Sequence, residues 1–163
     1  MTSAVRLGLM AALGVAIVDW LSKYVILNII NLPARQNIQI LPFFDLSMVW
    51  NRGVSFGMLQ ADSVLARWGL VGFTVAITLG VLVWLWRNDD CLNAVALGAI
   101  LGGALGNIHD RLIYGAVADF FDFHLMDAHW YVFNVADAAI SIGVALLLIR
   151  SFLIADKVNE ADK

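Results

Sequence analysis

Residues 68–86 read WGLVGFTVAITLGVLVWLW, 19 residues without a charge. A helix rises about 1.5 Å per residue, so a stretch of this length crosses the roughly 30 Å of bilayer hydrocarbon. The rest of the chain agrees with it. Of its 163 residues 61% are hydrophobic and only 14% charged, and the mean hydropathy of +0.83 is too high for an ordinary soluble domain.

Three further spans flank this one. Leu92 to Ile108 is one, and Tyr131 to Ile149, closed by Arg150, is another. The first is less regular: Leu7 to Val18 follows Arg6 like the apolar region of a signal peptide, but no A-x-A site follows. The apolar pattern resumes after Asp19 and Lys23 through Tyr24-Val25-Ile26-Leu27, which makes the segment a span. The expected fold is an all-α polytopic membrane protein, a single integral membrane domain over 1–163. Its four transmembrane helices cover about 5–30, 67–87, 92–112 and 131–150.

Two inserts interrupt the spans, at about 31–66 and 114–130. In the first, Asn37-Ile38-Gln39-Ile40 alternates. Asp45 to Trp50 joins Val54 to Leu59 through the turn-like Asn51-Arg52-Gly53, so a small antiparallel β-sheet is expected between helices 1 and 2. Phe43, Phe44, Met48, Trp50 and Phe56 make it a platform for the bilayer surface. The second insert is shorter and lies between helices 3 and 4, on the same side of the membrane.

Lys and Arg are evenly divided between the two sides. Arg6, Arg87, Arg150, Lys157 and Lys163 lie with the termini, and Lys23, Arg35, Arg52, Arg67 and Arg111 lie opposite. If Lys23, Arg52 and Arg111 are held in a site, the remainder favours cytoplasmic termini.

The polar residues of the spans gather at one depth. Asp19, Lys23, Asn51, Asn107, Asp110, Arg111, Asp119, Asn134 and Asp137 all fall near the face opposite the termini. Asp19 and Lys23 are i,i+4, as are Asn107 and Arg111, and Asn134 and Asp137 are i,i+3, so each pair shares a helix face. Gly98, Gly102 and Gly106 recur every fourth residue, which lets a neighbouring helix approach just before the cluster. Each pair also has a plainer reading: a snorkelling ion pair for Asp19 and Lys23, a helix cap for Asn134 and Asp137, an interhelical salt bridge around Asp110 and Arg111. Those readings leave the convergence unexplained.

Asp137 is the costliest member. Ionising a carboxyl inside an apolar span costs several kcal/mol without a partner. A second carboxyl supplies a reason, because two such groups about 3 Å apart hold one proton between them. Asp119 in GAVADFF is the expected partner, and the pair would activate water and protonate a leaving amine.

Five motifs in order carry a family resemblance: Asp19-x-x-x-Lys23, Asn51-x-Gly53-x-x-Phe56, Gly102-Gly103-Ala104-Leu105-Gly106-Asn107-Ile108-His109-Asp110-Arg111, Gly115-Ala116-Val117-Ala118-Asp119-Phe120, and Phe133-Asn134-Val135-Ala136-Asp137. From about Leu7 to Ile149 the chain resembles lipoprotein signal peptidase, or signal peptidase II. The resemblance implies an aspartyl endopeptidase of the bacterial inner membrane, with cytoplasmic termini, periplasmic inserts and an active site near the periplasmic face. It implies that diacylglyceryl prolipoproteins are cut before the lipidated lipobox cysteine, with membrane lipid as surroundings and globomycin-type cyclic peptides as inhibitors. Asp119 and Asp137 would be the catalytic pair, without metal or cofactor. Asn51, Gly53, Asn107, Asp110, Arg111 and Asn134 would position the substrate and the aspartates, and Asp19 and Lys23 would brace the pocket. Three positions depart from the family pattern: Trp20 where glutamine is usual, His109 where an aliphatic residue is usual, and Tyr131 where proline is common.

Other functions fit less well. No basic block points to nucleic acid, and the single cysteine, Cys91, forms no internal disulfide. A metal-dependent phosphotransferase would use Asp119, Asp122, His124, Asp127 and His129, but no phosphate-cradling Gly-Lys-Ser motif accompanies them. An ion transporter would need polar groups through the full depth, and residues 68–86 offer only Thr74 and Thr78.

Overall fold

The computed structural model describes residues 1–53, 64–126 and 128–161, the last eight of these by backbone alone. Four helices are long and apolar enough to cross a membrane: Ser3–Ile29, Val64–Trp86, Cys91–Ile113 and Val135–Leu153. The first comprises α1 (Ser3–Tyr24) and a π-helical turn (Val25–Ile29). A short α2 (Leu32–Arg35) with proline in its first turn follows. The other spans are α3 (Val64–Trp86), α4 (Cys91–Ile113) and α5, which continues from Val135 to Ala161.

Side-chain oxygens start α1 and α4 by taking up free backbone donors. Val5 N donates to the Thr2 hydroxyl at 3.2 Å, and Asn93 N donates to the Asp90 carboxylate at 2.8 Å. The expected span from Tyr131 shortens for the same reason. Residues 131–134 run beside the sheet, where Phe133 bridges Phe121, and the helix begins only where the Asn134 side chain accepts from Asp137 N at 2.9 Å.

Helix α4 is the centre of the bundle. Its span is 56% buried, against 28%, 17% and 11% for the other three in chain order, so α1, α3 and α5 turn most of their apolar surface outward. The close approach of α1 rests on missing side chains. A Cβ added at Gly98 would land on the backbone carbonyl of Gly8 and meet Ala11 Cβ at 3.1 Å. Gly98→Ala is therefore expected to cost about 1–3 kcal/mol of stability, as overpacking does. Gly72 has nothing within 4 Å of its added Cβ, and Gly72→Ala should leave the melting temperature unchanged or slightly higher. Thermal melting of the two variants measures the difference.

The sheet departs from the expected plan. Strands β1 (Asn37–Leu41), β2 (Phe44–Asn51), β3 (Val117–Leu125) and β4 (Ala128–His129) form one antiparallel sheet in the order β1-β2-β3-β4. The fold is thus four helices plus a sheet that both inserts build, rather than all-α with strands in the first insert alone. Its central pairing sets Val49 opposite Asp119 and Asn51 opposite Val117. Phe44, Phe121, Phe123 and Phe133 pack against one another beside it, with ring centroids 4.7–6.1 Å apart. Val54 to Leu59, expected to pair with β2, lie outside the described residues, as does Phe56.

Candidate active site

The start of α5 carries one acid of the expected pair. Asn134 and Asp137 form a reciprocal cap: Asp137 N donates to Asn134 Oδ1 at 2.9 Å, and Asn134 N donates to Asp137 Oδ2 at 3.3 Å. A third free donor, Ala136 N, goes to Asp19 Oδ1 at 2.9 Å, across from α1. The cap does not exhaust Asn134. Its amide nitrogen also donates to Asp119 Oδ1 at 2.6 Å and to Asn107 Oδ1 at 3.3 Å. One asparagine therefore touches both acids, from its side chain to Asp119 and from its backbone to Asp137.

Asp119 reaches that asparagine from the sheet. It lies in β3 and is fully buried, and its second oxygen accepts from Asn51 Nδ2 at 3.0 Å. Asn51 ends β2, so the register of the sheet delivers it. The same Asn51 nitrogen donates to the Tyr131 hydroxyl at 2.6 Å, and Asn51 Oδ1 accepts from Gly53 N at 3.0 Å. Arg111 then holds this turn, donating through Nη2 to the Gly53 carbonyl at 2.9 Å. On the other acid, Asn107 Nδ2 donates to Asp137 Oδ1 at 2.8 Å.

Below the acids lies a buried ion cluster. Lys23 Nζ is 2.8 Å from Asp19 Oδ2, 2.8 Å from Asp110 Oδ2 and 3.4 Å from Asn107 Oδ1. An ammonium has three protons, and three acceptors meet it. Asp110 also accepts from Ala118 N at 3.1 Å, just before Asp119 in β3. Lys23 and its two carboxylates thus tie α1, α4, α5 and β3 together directly beneath the two acids. Gly106 makes room, since a Cβ there would strike the Asp19 carboxylate.

Burial pushes the Asp119 carboxyl up to about 7, with the charge of Asp137 as the second cause. The amides of Asn51 and Asn134 and the charge of Lys23 pull the other way. Desolvation and a like-charged neighbour therefore outweigh three favourable contacts. Asp137, half-buried, opens onto a cavity of about 320 Å³ between α3, α4 and α5, which Asn51, Asn107 and Arg111 also line.

All ten expected site residues thus fall in one connected network. The three departures sort differently. Trp20 is 52% exposed and stacks on Tyr24. His109 lies 3.6 Å from Asp110, with 49% of its side chain exposed. Tyr131, passed over as a site residue, joins the network through Asn51, and only the long-range fold places it there. Arg52 is exposed rather than held in the site.

The phosphotransferase ligand set is dispersed. Asp122 bonds Ser47 and lies 3.0 Å from His129, and His124 lies 3.5 Å from Asp45. Asp119 and Asp122, three apart in one strand, point to opposite faces, and Asp127 is outside the described residues. Among the described residues, no three His, Cys, Asp or Glu side chains converge to hold a metal ion.

Residues 11–153 match the family of signal peptidase (SPase) II. A lipoprotein signal peptidase of Rhizorhabdus wittichii is 48% identical, with 91% of this chain and 87% of the relative aligned. Another, of Beijerinckia indica, is 44% identical over 90% of this chain and 87% of the relative. A solved bacterial membrane enzyme matches with a TM-score of 0.74 and 28% identity, over 96% of this chain and 92% of its own.

Proposed function

This chain belongs to the signal peptidase II family, whose members are proteases that process lipoproteins, and we propose that it does so as an aspartyl endopeptidase working through Asp119 and Asp137. It cuts diacylglyceryl-modified prolipoproteins immediately before the lipidated cysteine. The observation that carries this reading is Asn134 bonded to both acids, one enclosed and one facing a cavity, with the enclosed acid raised to about 7.

The two environments divide the work. Asp137, on the cavity wall, is the carboxylate placed to meet water, and Asp119 holds the proton of the resting pair. As water attacks the scissile carbonyl carbon, Asp137 takes its proton and Asp119 gives its own to the carbonyl oxygen. The carbon–nitrogen bond then breaks. Asp137 protonates the leaving amine, and Asp119 recovers a proton from the diol hydroxyl. Asn107, Arg111 and Asn51 line the cavity and bond the substrate backbone, which needs partners at membrane depth. Cyclic peptides of the globomycin type would compete for those same groups. No step calls for a metal or cofactor.

Orientation follows from the held cations. With Lys23 and Arg111 committed to the site, Arg35, Arg52 and Arg67 stand against five cations on the side of the termini. That difference favours cytoplasmic termini in the bacterial inner membrane, with the sheet and the active site at the periplasmic face.

The test is a diacylglyceryl-modified lipobox peptide beside its unlipidated twin, with products identified by mass. The lipidated peptide should be cut before the modified cysteine and the twin left intact. Equal cutting of both, or a cut elsewhere, would remove the proposed specificity.

A further inference from the structure

The short run that leads into α5 holds Asp119 from two sides. Asn134 reaches its Oδ1 directly, while Tyr131 bonds Asn51, the residue that occupies its Oδ2. The amide of Asn51 has one accepting oxygen and two protons to place. Gly53 N donates to it at 3.0 Å, which only an oxygen can receive, so Oδ1 is fixed toward Gly53. Nδ2 must then face Asp119 Oδ2 at 3.0 Å and the Tyr131 hydroxyl at 2.6 Å. Two protons meet two acceptors, and the orientation of the amide follows.

Both ends of this arrangement are anchored. Arg111 holds the Gly53 carbonyl, and two residues after Tyr131 the backbone of Phe133 exchanges hydrogen bonds with Phe121 at 2.8 and 3.1 Å. Asn51 lines the cavity of about 320 Å³ beside Asp137, and Tyr131 lines a second, of about 340 Å³, that also opens on Asp137. The bond between the amide and the hydroxyl therefore joins the walls of both spaces. Without that hydroxyl, one Nδ2 proton loses its acceptor, and Asn51, half-buried at the end of β2, can turn its nitrogen away from Asp119.

We infer that Tyr131 is a positioning residue of the reaction, whose hydroxyl holds the Asn51 amide so that a donor stays on Asp119 Oδ2. The assignment rests on the function proposed above. A donor on a carboxylate favours its ionised form, and the Asn51 bond is one of the contacts that pull the Asp119 carboxyl down against burial. Loosening Asn51 therefore lets Asp119 keep its proton to higher pH. The charged groups around Asp119 are Asp137 on α5, Lys23 on α1, and Asp110 and Arg111 on α4. Removing the Tyr131 hydroxyl changes none of them.

The experiment measures cleavage of the lipidated peptide from about pH 6 to 9 by wild type, Tyr131→Phe, Asn51→Ala and the double variant. Phenylalanine keeps the ring and removes the hydroxyl. In Tyr131→Phe the alkaline fall in kcat/KM should move up by about half to one pH unit, and kcat below it should drop about three- to tenfold, the scale of one neutral hydrogen bond. Asn51→Ala should move the fall at least as far. Adding Tyr131→Phe to Asn51→Ala should then change neither rate nor pH dependence, because the group it acts through is gone. Single-turnover rates keep slow variants measurable. A mere loss of folded protein lowers the rate by one factor at every pH, so it does not imitate the shift. A fall at the wild-type pH in Tyr131→Phe, or a further shift in the double variant, overturns the assignment. So does a wild-type rate that stays level to about pH 9, which leaves Tyr131 nothing to set. If Tyr131→Phe does not accumulate, Tyr131→Leu also lacks the hydroxyl and is read in the same way. Failure of wild type to cut the lipidated peptide would instead sink the proposed function.

Discussion

Asp119→Asn and Asp137→Asn are each expected to lower kcat on a lipidated peptide by about 10³-fold or more, the scale of losing an acid–base group that works in a pair. Neither loss should come from unfolding. Asn retains the size of Asp but only one of its two accepting oxygens, which leaves one neighbouring donor unpaired at a cost of about 1–3 kcal/mol; the ion cluster around Lys23 is untouched, so both variants should stay folded and melt only somewhat below wild type. The two losses should not multiply, because either change alone leaves no pair to share a proton. Turnover in single-variant and double-variant protein, measured beside thermal melting, checks all three points. A fully active single variant would rule the pair out.

The second large effect lies beneath the acids. Lys23→Met leaves Asp19 and Asp110 buried without their shared cation, and breaking such a cluster from one side costs about 3–5 kcal/mol. The variant should melt far below wild type or fail to accumulate in the membrane. Changing Asp19 and Asp110 to Asn in the same chain removes the stranded charges and should recover much of the stability. Arg35→Met, at an exposed cation, is the control and should change little. A Lys23→Met protein with wild-type melting would mean that the three charges do not hold the bundle together.

Much of this site was legible before any coordinates. Composition and the uncharged run at residues 68–86 identify a membrane chain, and the i,i+4 and i,i+3 spacings place polar pairs on common helix faces. Helical geometry is local, so spacing is enough. The partnership between β2 and β3 is different, because Val49 and Asp119 meet across about 70 residues of chain and nothing in either strand names the other. For that reason the sequence pattern places strands in the first insert alone and carries no signal that brings Tyr131 to Asn51. Asn134 and Asp137 had two competing readings, a helix cap and a site. The structure contains both, since the cap fixes Asp137 while the rest of the asparagine reaches Asp119.

Tight approach was only partly readable. The spacing of Gly98, Gly102 and Gly106 marks a helix contact, but the pattern cannot say that Gly106 admits a carboxylate. The threefold coordination of Lys23 was likewise beyond pattern reading. Asp19 at i−4 is visible along one helix, whereas Asp110 and Asn107 arrive from another.

The claim that matters most is that Asp119 and Asp137 hold a single proton. Burial and a charged neighbour raise Asp119 to about 7, so Asp119 carries its proton below that pH and loses it as pH rises through it. The most direct measurement is kcat/KM on the lipidated peptide across neutral and alkaline pH, where the free enzyme's essential groups are reported. The account predicts a fall above about pH 7, approaching about tenfold per pH unit. A rate that stays level to about pH 9 would contradict it, because two ionised acids would then be doing the work assigned to a shared proton.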